Sequence, residues 1–337
     1  MRWLIFLALL LLLTARPNAQ FPVIGIIDFY GLGDISERQA RESLQVKEGE
    51  ALSDEPEEAK RRLESIPGVE EARFELVCCV GDKAILYVGI RKKGVPSIEF
   101  RSVPRGNVRL PQDVIQAGND FQKAYNEAAL KGDSGEDHSQ GHMLSNDPTT
   151  RAVQERFVAF AARDLKLIRD VLRNSSEVEH RALAAQIIAY AENKQEIVND
   201  LVEAMWDPAE AVRNNAMRSL WVMPESTRQT AKKQIQIPAR PFIEMLNSIE
   251  WRDRNKSSMA LLKITNMPAA DMLSELRRKA LPSLVEMARW KTPGHAKAPF
   301  VLLGRVAGFP EDEINAAWEH GDHELFIDAA VKKAKTK

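Results

Sequence analysis

The strongest constraint on this chain is a helical pattern that repeats. From residue 151 to the C-terminal end, strand-like alternation disappears and apolar residues recur at helical spacing. Residues 178–188 align with residues 211–220, Arg181 falling on Arg213. A third copy occupies residues 254–262 and opens on Arg254, and a degenerate fourth occupies residues 296–304. Between the copies lie further helical stretches at 197–206, 242–246 and 281–290. A single helix pair cannot bury its apolar face, whereas stacked pairs share one continuous core. Such a chain is therefore restricted to layered helical architectures.

The best-defined junction reads Asp207-Pro208-Ala209-Glu210-Ala211-Val212-Arg213. An Asp-Pro break precedes a Val-Arg pair that opens the next helix, and Pro in a first helical turn forfeits no hydrogen bond. This pattern resembles the HEAT repeat. The resemblance implies an all-α helical-repeat solenoid over residues 151–334, offering an extended surface to protein ligands. Residues 224–238 read as an insertion. Trp206, Trp251 and Trp290 all fall near turns between successive repeats. Two readings apply to them. They pack the edges between repeats, as aromatic rings that bury area do, or they form an aromatic stripe that contacts a peptide or glycan. The second makes them the candidate partner-binding residues.

The N-terminal part has another period. Residues 23–30 are β-branched and aromatic and end on Gly31-Leu32-Gly33, a strand and a turn. Ser36 with Gln39 three residues on forms a capping box for a first helix. Asp54 caps a second helix, which Pro67-Gly68 stops. Ala72, Phe74, Leu76, Cys78 and Val80 alternate with more polar positions, as do Ala84, Leu86, Val88 and Ile90 after a turn at Gly81-Asp82. The order is β-α-α-β-β, a small α+β domain over residues 21–95 that closes on an antiparallel hairpin. Gly31-Leu32-Gly33 is not a dinucleotide fingerprint, because Ser36 holds the third glycine position and no parallel βαβ unit follows.

Four segments together resemble a POTRA domain: Ile26-Ile27-Asp28-Phe29-Tyr30-Gly31, Leu44-Gln45-Val46-Lys47-Glu48-Gly49, Leu63-Glu64-Ser65-Ile66-Pro67-Gly68-Val69 and Leu86-Tyr87-Val88-Gly89-Ile90. That resemblance implies a protein-binding module, often one that adds a partner's strand to a sheet edge. Residues 96–150 form a connector. Ala117, Phe121, Ala124 and Ala128 mark a helix within 113–130, and the polar run from 131 to 150 reads as a flexible loop.

Residues 1–19 read as a cleavable signal peptide: Arg2, an apolar run from position 3 to position 13, and a small residue, Ala19, at the cleavage point. The run is too short to span a bilayer, which needs about 20 apolar residues. The mature chain is expected to be periplasmic or secreted and to carry no integral membrane segment. Its two cysteines, Cys78 and Cys79, are adjacent. Neighbours on a regular strand point to opposite faces, so free thiols are expected. A formal net charge of −1 offers no basic field for nucleic acid. No HExxH, GxSxG or Walker pattern occurs. The pairs His138/His142 and His320/His323 lack the ligand count of a metal site. No catalytic, cofactor-binding or metal residue is assigned. The expected function is an exported adaptor or scaffold whose two parts each dock envelope proteins. An accessory role in cell-envelope or outer-membrane biogenesis is the alternative, and a HEAT-type lyase or other enzyme ranks last.

Overall fold

A computed structural model describes residues 22–51, 56–81, 83–133, 135–228, 234–265 and 270–336. The signal-peptide reading, the Asp54 cap, Asp82 of the hairpin turn and the middle of the 224–238 insertion lie outside these residues. The chain is a helix-rich α+β protein. In order it runs β1 (Ile24–Tyr30), α1 (Glu37–Leu44), α2 (Pro56–Glu64), β2 (Val69–Val80), β3 (Lys83–Lys92), α3 (Gln112–Leu130), β4 (Glu136–Asp137) and β5 (Leu144–Ser145). Then follow α4 (Pro148–Asn174), α5 (Val178–Ile187), α6 (Lys194–Ala204), α7 (Glu210–Val222), α8 (Glu225–Arg228), α9 (Arg240–Met245) and α10 (Trp251–Ile264). The chain ends with α11 (Ala270–Ala288), α12 (Pro293–Ala307), α13 (Glu311–His320) and α14 (His323–Lys335).

The N-terminal order is β-α-α-β-β, and Ser36 caps α1 by accepting from the Gln39 N–H. The sheet order is β1-β3-β2, with β1 parallel and β2 antiparallel to β3. Period two then sorts the side chains of the central strand. Leu86, Val88 and Ile90 join Ile24, Leu44 and Leu63 in a core under α1 and α2. Ile85 and Tyr87 point the other way, into the core of the helical half. The strand is thus buried on both faces, because the helices cover the side that an isolated module would leave wet. Gly89 marks the closest approach: a Cβ there would lie 2.4 Å from the Ile249 carbonyl oxygen.

In the helical half, the recurrent arginine explains the sequence repeat. Arg181 grips both oxygens of Asp207 at 2.9 and 3.0 Å and donates to the carbonyls of Ser175 and Ser176. Arg213 repeats this on Asp253 and on the carbonyls of Asp207 and Pro208. Arg254 donates to the Ser248 carbonyl and to Glu286. Each arginine caps the turn just before its own helix and reaches an acid of the next layer. Arg181, Asp207 and Asp253 are fully buried, so each charge depends on its partner.

The connector differs from expectation. The helix is present as α3, but the rest is pinned rather than flexible. Residues 96–111 run extended across the turns of the helical half. Arg101 donates its N–H to the Trp206 carbonyl, Gly106 to Asn174, and Leu110 to His180 Nδ1. Further on, Tyr190 donates to the Met143 carbonyl at 2.8 Å and Gln154 accepts the Ser145 N–H at 2.6 Å. A polar segment needs no core of its own when neighbouring helices satisfy its backbone groups. Cys78 is another correction, since it is disulfide-bonded rather than free. The strand alternation behind the free-thiol expectation fails locally: the register of β2 on β3 shifts between Val77 and Val80.

Candidate partner-binding groove

Two of the three candidate tryptophans face the chain's own sheet. Trp251 stacks on Tyr87 with ring centroids 4.9 Å apart, and Trp290 meets the same ring at 5.0 Å. Their exposures are 6% and 4%, and Trp251 is also one of the residues lining the cavity beside β2. Tyr87 hydrogen-bonds His295 Nδ1 at 2.7 Å, and Tyr30 donates to the Ile249 carbonyl at 2.6 Å. Burial, aided by the charge of Lys256, holds His295 down to about 4. Polar ties frame this junction. Gly31 donates its N–H to Glu286, and Lys291 reaches Asp28, Ile27 and Glu48. Burial pushes Asp28 up to about 6 despite the Lys291 N–H. Trp206 is half-buried, and its carbonyl holds the connector at Arg101.

The opposite border of the sheet is open. Among the described residues β2 pairs only with β3, so its outer edge is unpaired there. The Ala72 N–H points outward, to Glu64 at 3.1 Å. Alternate residues of a strand turn their N–H groups to the same edge. Phe74 and Leu76 therefore point outward too, and neither donates to another element among the described residues. Leu76 and Val80 on this hairpin are 37% and 45% exposed.

A cavity of about 540 Å³ borders this edge. Glu75, Leu76, Val77 and Cys78 all line it. Consecutive strand residues point to opposite faces, so four in a row border one space only where the strand's edge faces it. The other lining comes from α3, with Phe121, Gln122 and Tyr125, and from the inner helices, with Gln186, Asn214 and Arg218. Glu136 of the connector also lines it, as does Arg252. The space is rich in carboxamides, which suit backbone amides as donor and acceptor at once.

The charges around it are mostly paired. Arg218 pairs with Glu136, and Arg252 with Glu75 and Glu210. Burial pushes Glu136 up, but the His138 hydrogen bond and the Arg218 charge overcome it and hold the carboxyl below its usual range. Burial raises Glu75. Lys256, four residues beyond Arg252 on α10, is not one of the lining residues and makes no hydrogen bond or ion pair with any described residue. Burial, with Arg218 and Arg252 nearby, holds its amine down to about 8. Gln186 likewise has no hydrogen-bond partner among the described residues.

The histidine pairs are occupied elsewhere. His142 meets Lys194 Nζ at 3.1 Å, and His323 stacks on Trp318 and bonds its carbonyl. Among the described residues no helix is long and apolar enough to cross a membrane. Sequence reasoning missed Tyr87, Gln186 and Lys256. The available signal for Tyr87 was an amphipathic ring on the strand face opposite the module's own core.

No protein-family model matches this chain, and no curated relative matches it in sequence. Among solved structures, the crystal structure of an engineered protein is similar over 66% of this chain and 95% of its own, at 12% identity and a TM-score of 0.36.

Proposed function

We propose that this chain is an exported protein-binding adaptor that takes an extended segment of an envelope protein as an added strand along β2. One observation carries the reading: a strand edge, Glu75 to Cys78, unpaired among the described residues, borders a cavity whose remaining walls are mostly helical and amide-rich. An added strand would satisfy the outward N–H groups of Phe74 and Leu76, and side-chain pockets would supply selectivity. The β-α-α-β-β order supports the POTRA likeness, and the Arg–acid ladder supports the HEAT likeness. In this reading the two parts do not dock separate partners. The module supplies the edge, the helical half supplies the facing wall, and Tyr87 with Trp251 and Trp290 holds the two at a fixed distance. Export rests on the leader-like N-terminal segment.

A photo-crosslinking residue at position 122, on the facing α3 wall of the cavity, introduced into the full chain in cells, tests this. Crosslinks are expected to fall on one short segment of each captured envelope protein. Leu76→Pro, which removes one outward N–H, should abolish them. Capture that survives Leu76→Pro would rule out strand addition at this edge.

A further inference from the structure

We propose that residues 135–147 of the connector form an acid-sensitive strap along one wall of the groove, latched to α6 by a neutral His142. The inference goes beyond strand addition and does not depend on it.

Three observations carry it. The first is the place of the strap. Glu136 and Met143 line the cavity, so this segment is one of its walls. Its regular structure is only a pair of two-residue strands, yet residues 141–145 are all buried. The second is the direction of the latch. Lys194 Nζ donates to the carbonyls of Ala189 and Ala191 at 2.6 and 2.8 Å and lies 3.1 Å from His142 Nδ1. Burial holds the Lys194 amine down to about 8, so at neutral pH it is still an ammonium, with three donors and no acceptor. His142 Nδ1 must therefore accept, which places the ring proton on Nε2 and leaves the imidazole neutral. The third is the surroundings of the ring. His142 is 4% exposed, its Nε2 has no hydrogen-bond partner among the described residues, and Tyr190 packs on it with ring centroids 4.6 Å apart.

A second proton on this ring would break the latch. It turns Nδ1 into a donor facing the donor Lys194 and places two positive charges in one buried space. The other charged groups that face the ring are Asp137 of the strap and Arg151 of α4. These lie 3.7 Å apart and offset each other, and Asp137 also accepts the Ser139 N–H. Burial, aided by the Lys194 charge, holds His142 down to about 4 against an ordinary 6.5. A strap that opens returns the ring to water and to the ordinary value, so opening takes up a proton. The latch is complete above pH 6.5 and weakens as pH falls toward 4. The other ties of the strap do not weaken in this range. Glu136, held below its usual range, stays ionised on Arg218 and His138, and the Tyr190–Met143 and Ser145–Gln154 hydrogen bonds are uncharged. Acid therefore acts on the strap through His142.

Amide exchange of the full chain at pH 7 and pH 5 tests this, expressed as protection factors so that the intrinsic pH dependence of exchange cancels. The reporters are the Ser145 and Asn146 amides, which donate to Gln154 and to the Gly135 carbonyl. Their protection should fall about twentyfold from pH 7 to pH 5, as one proton taken up between 6.5 and 4 requires, while the amides of β3 hold. His142→Gln should make both reporters independent of pH. A measurement on the wild type alone accompanies the variant: by NMR the His142 ring should carry its proton on Nε2 and titrate well below 6.5. Constant protection in the wild type, an equal fall in His142→Gln, a parallel fall in β3, or a His142 ring that titrates near 6.5 would each overturn the proposal.

Discussion

The two sides of the small sheet make opposite use of similar strands. On the helix-facing side of β3, Tyr87 is enclosed by Trp251, Trp290 and His295, and the Gly89 position has no space for even a methyl group. Along the outer edge of β2, backbone donors point away from the sheet, Leu76 and Val80 are exposed, and Gln186 across the cavity has no hydrogen-bond partner among the described residues. The first side is closely packed and fixes the module on the helices, although the indole N–H groups of Trp251 and Trp290 are buried there without a hydrogen-bond partner among the described residues. The second is polar and incomplete. Unmet polar groups are tolerable where water reaches them and costly where it does not. Open backbone donors beside exposed apolar side chains at one accessible border therefore mark the place for a partner strand.

This contrast predicts that changes on the closed side cost stability and changes on the open side cost binding. Tyr87→Ala should be the most severe, losing about 3–5 kcal/mol by analogy with other buried aromatic truncations, read by urea unfolding of the full chain. A loss below about 1 kcal/mol would mean that the ring is not a central packing element. Gly89→Ala pushes a methyl group against the Ile249 carbonyl and the Tyr30 ring. It should cost about 1–3 kcal/mol, as overpacking does. Leu76→Pro, on the open edge, should change stability by only about 0.5 kcal/mol while removing peptide binding.

The smallest effect is in the pH dependence of the junction. His295 is held at about 4 in the folded chain against an ordinary 6.5, so the unfolded chain binds more protons between these values. Its contribution is complete above pH 6.5 and is lost as pH falls toward 4. Asp28 acts oppositely, since its folded value near 6 exceeds the ordinary 3.8 and favours folding as pH falls through this window. Comparison of wild type with His295→Asn isolates the histidine. The wild type should lose about 2–4 °C in Tm relative to the variant between pH 7 and pH 5. A constant difference would place His295 outside the coupled junction.

Much of the local architecture was readable from the residues. Arg181, Arg213 and Arg254 repeat because each closes the same turn, and the Ser36 cap and the strand alternation announce their elements directly. What covers those elements was not readable. Period two marks Tyr87 as facing away from its own module, but it cannot reveal that Trp251 and Trp290, more than 160 residues later, are the cover. Of the three candidate tryptophans, Trp251 and Trp290 pack on this chain's own sheet, while Trp206 is half-buried apart from it. The connector misled for a related reason: its polar composition excludes a core of its own but says nothing of borrowed hydrogen bonds from Gln154 or Tyr190. Nothing in the spacing of Arg252 distinguishes it from an ordinary helix charge, and only the fold places it beside an open strand edge.

The most direct test of the groove is amide hydrogen exchange at Phe74 and Leu76, measured in the full chain with and without a peptide matching a partner segment captured by crosslinking. Strand addition requires exchange at both amides to slow on binding, while the amides of β3, already bonded to β1 and β2, change little. Binding that leaves Phe74 and Leu76 unprotected would contradict it and move the partner site away from β2.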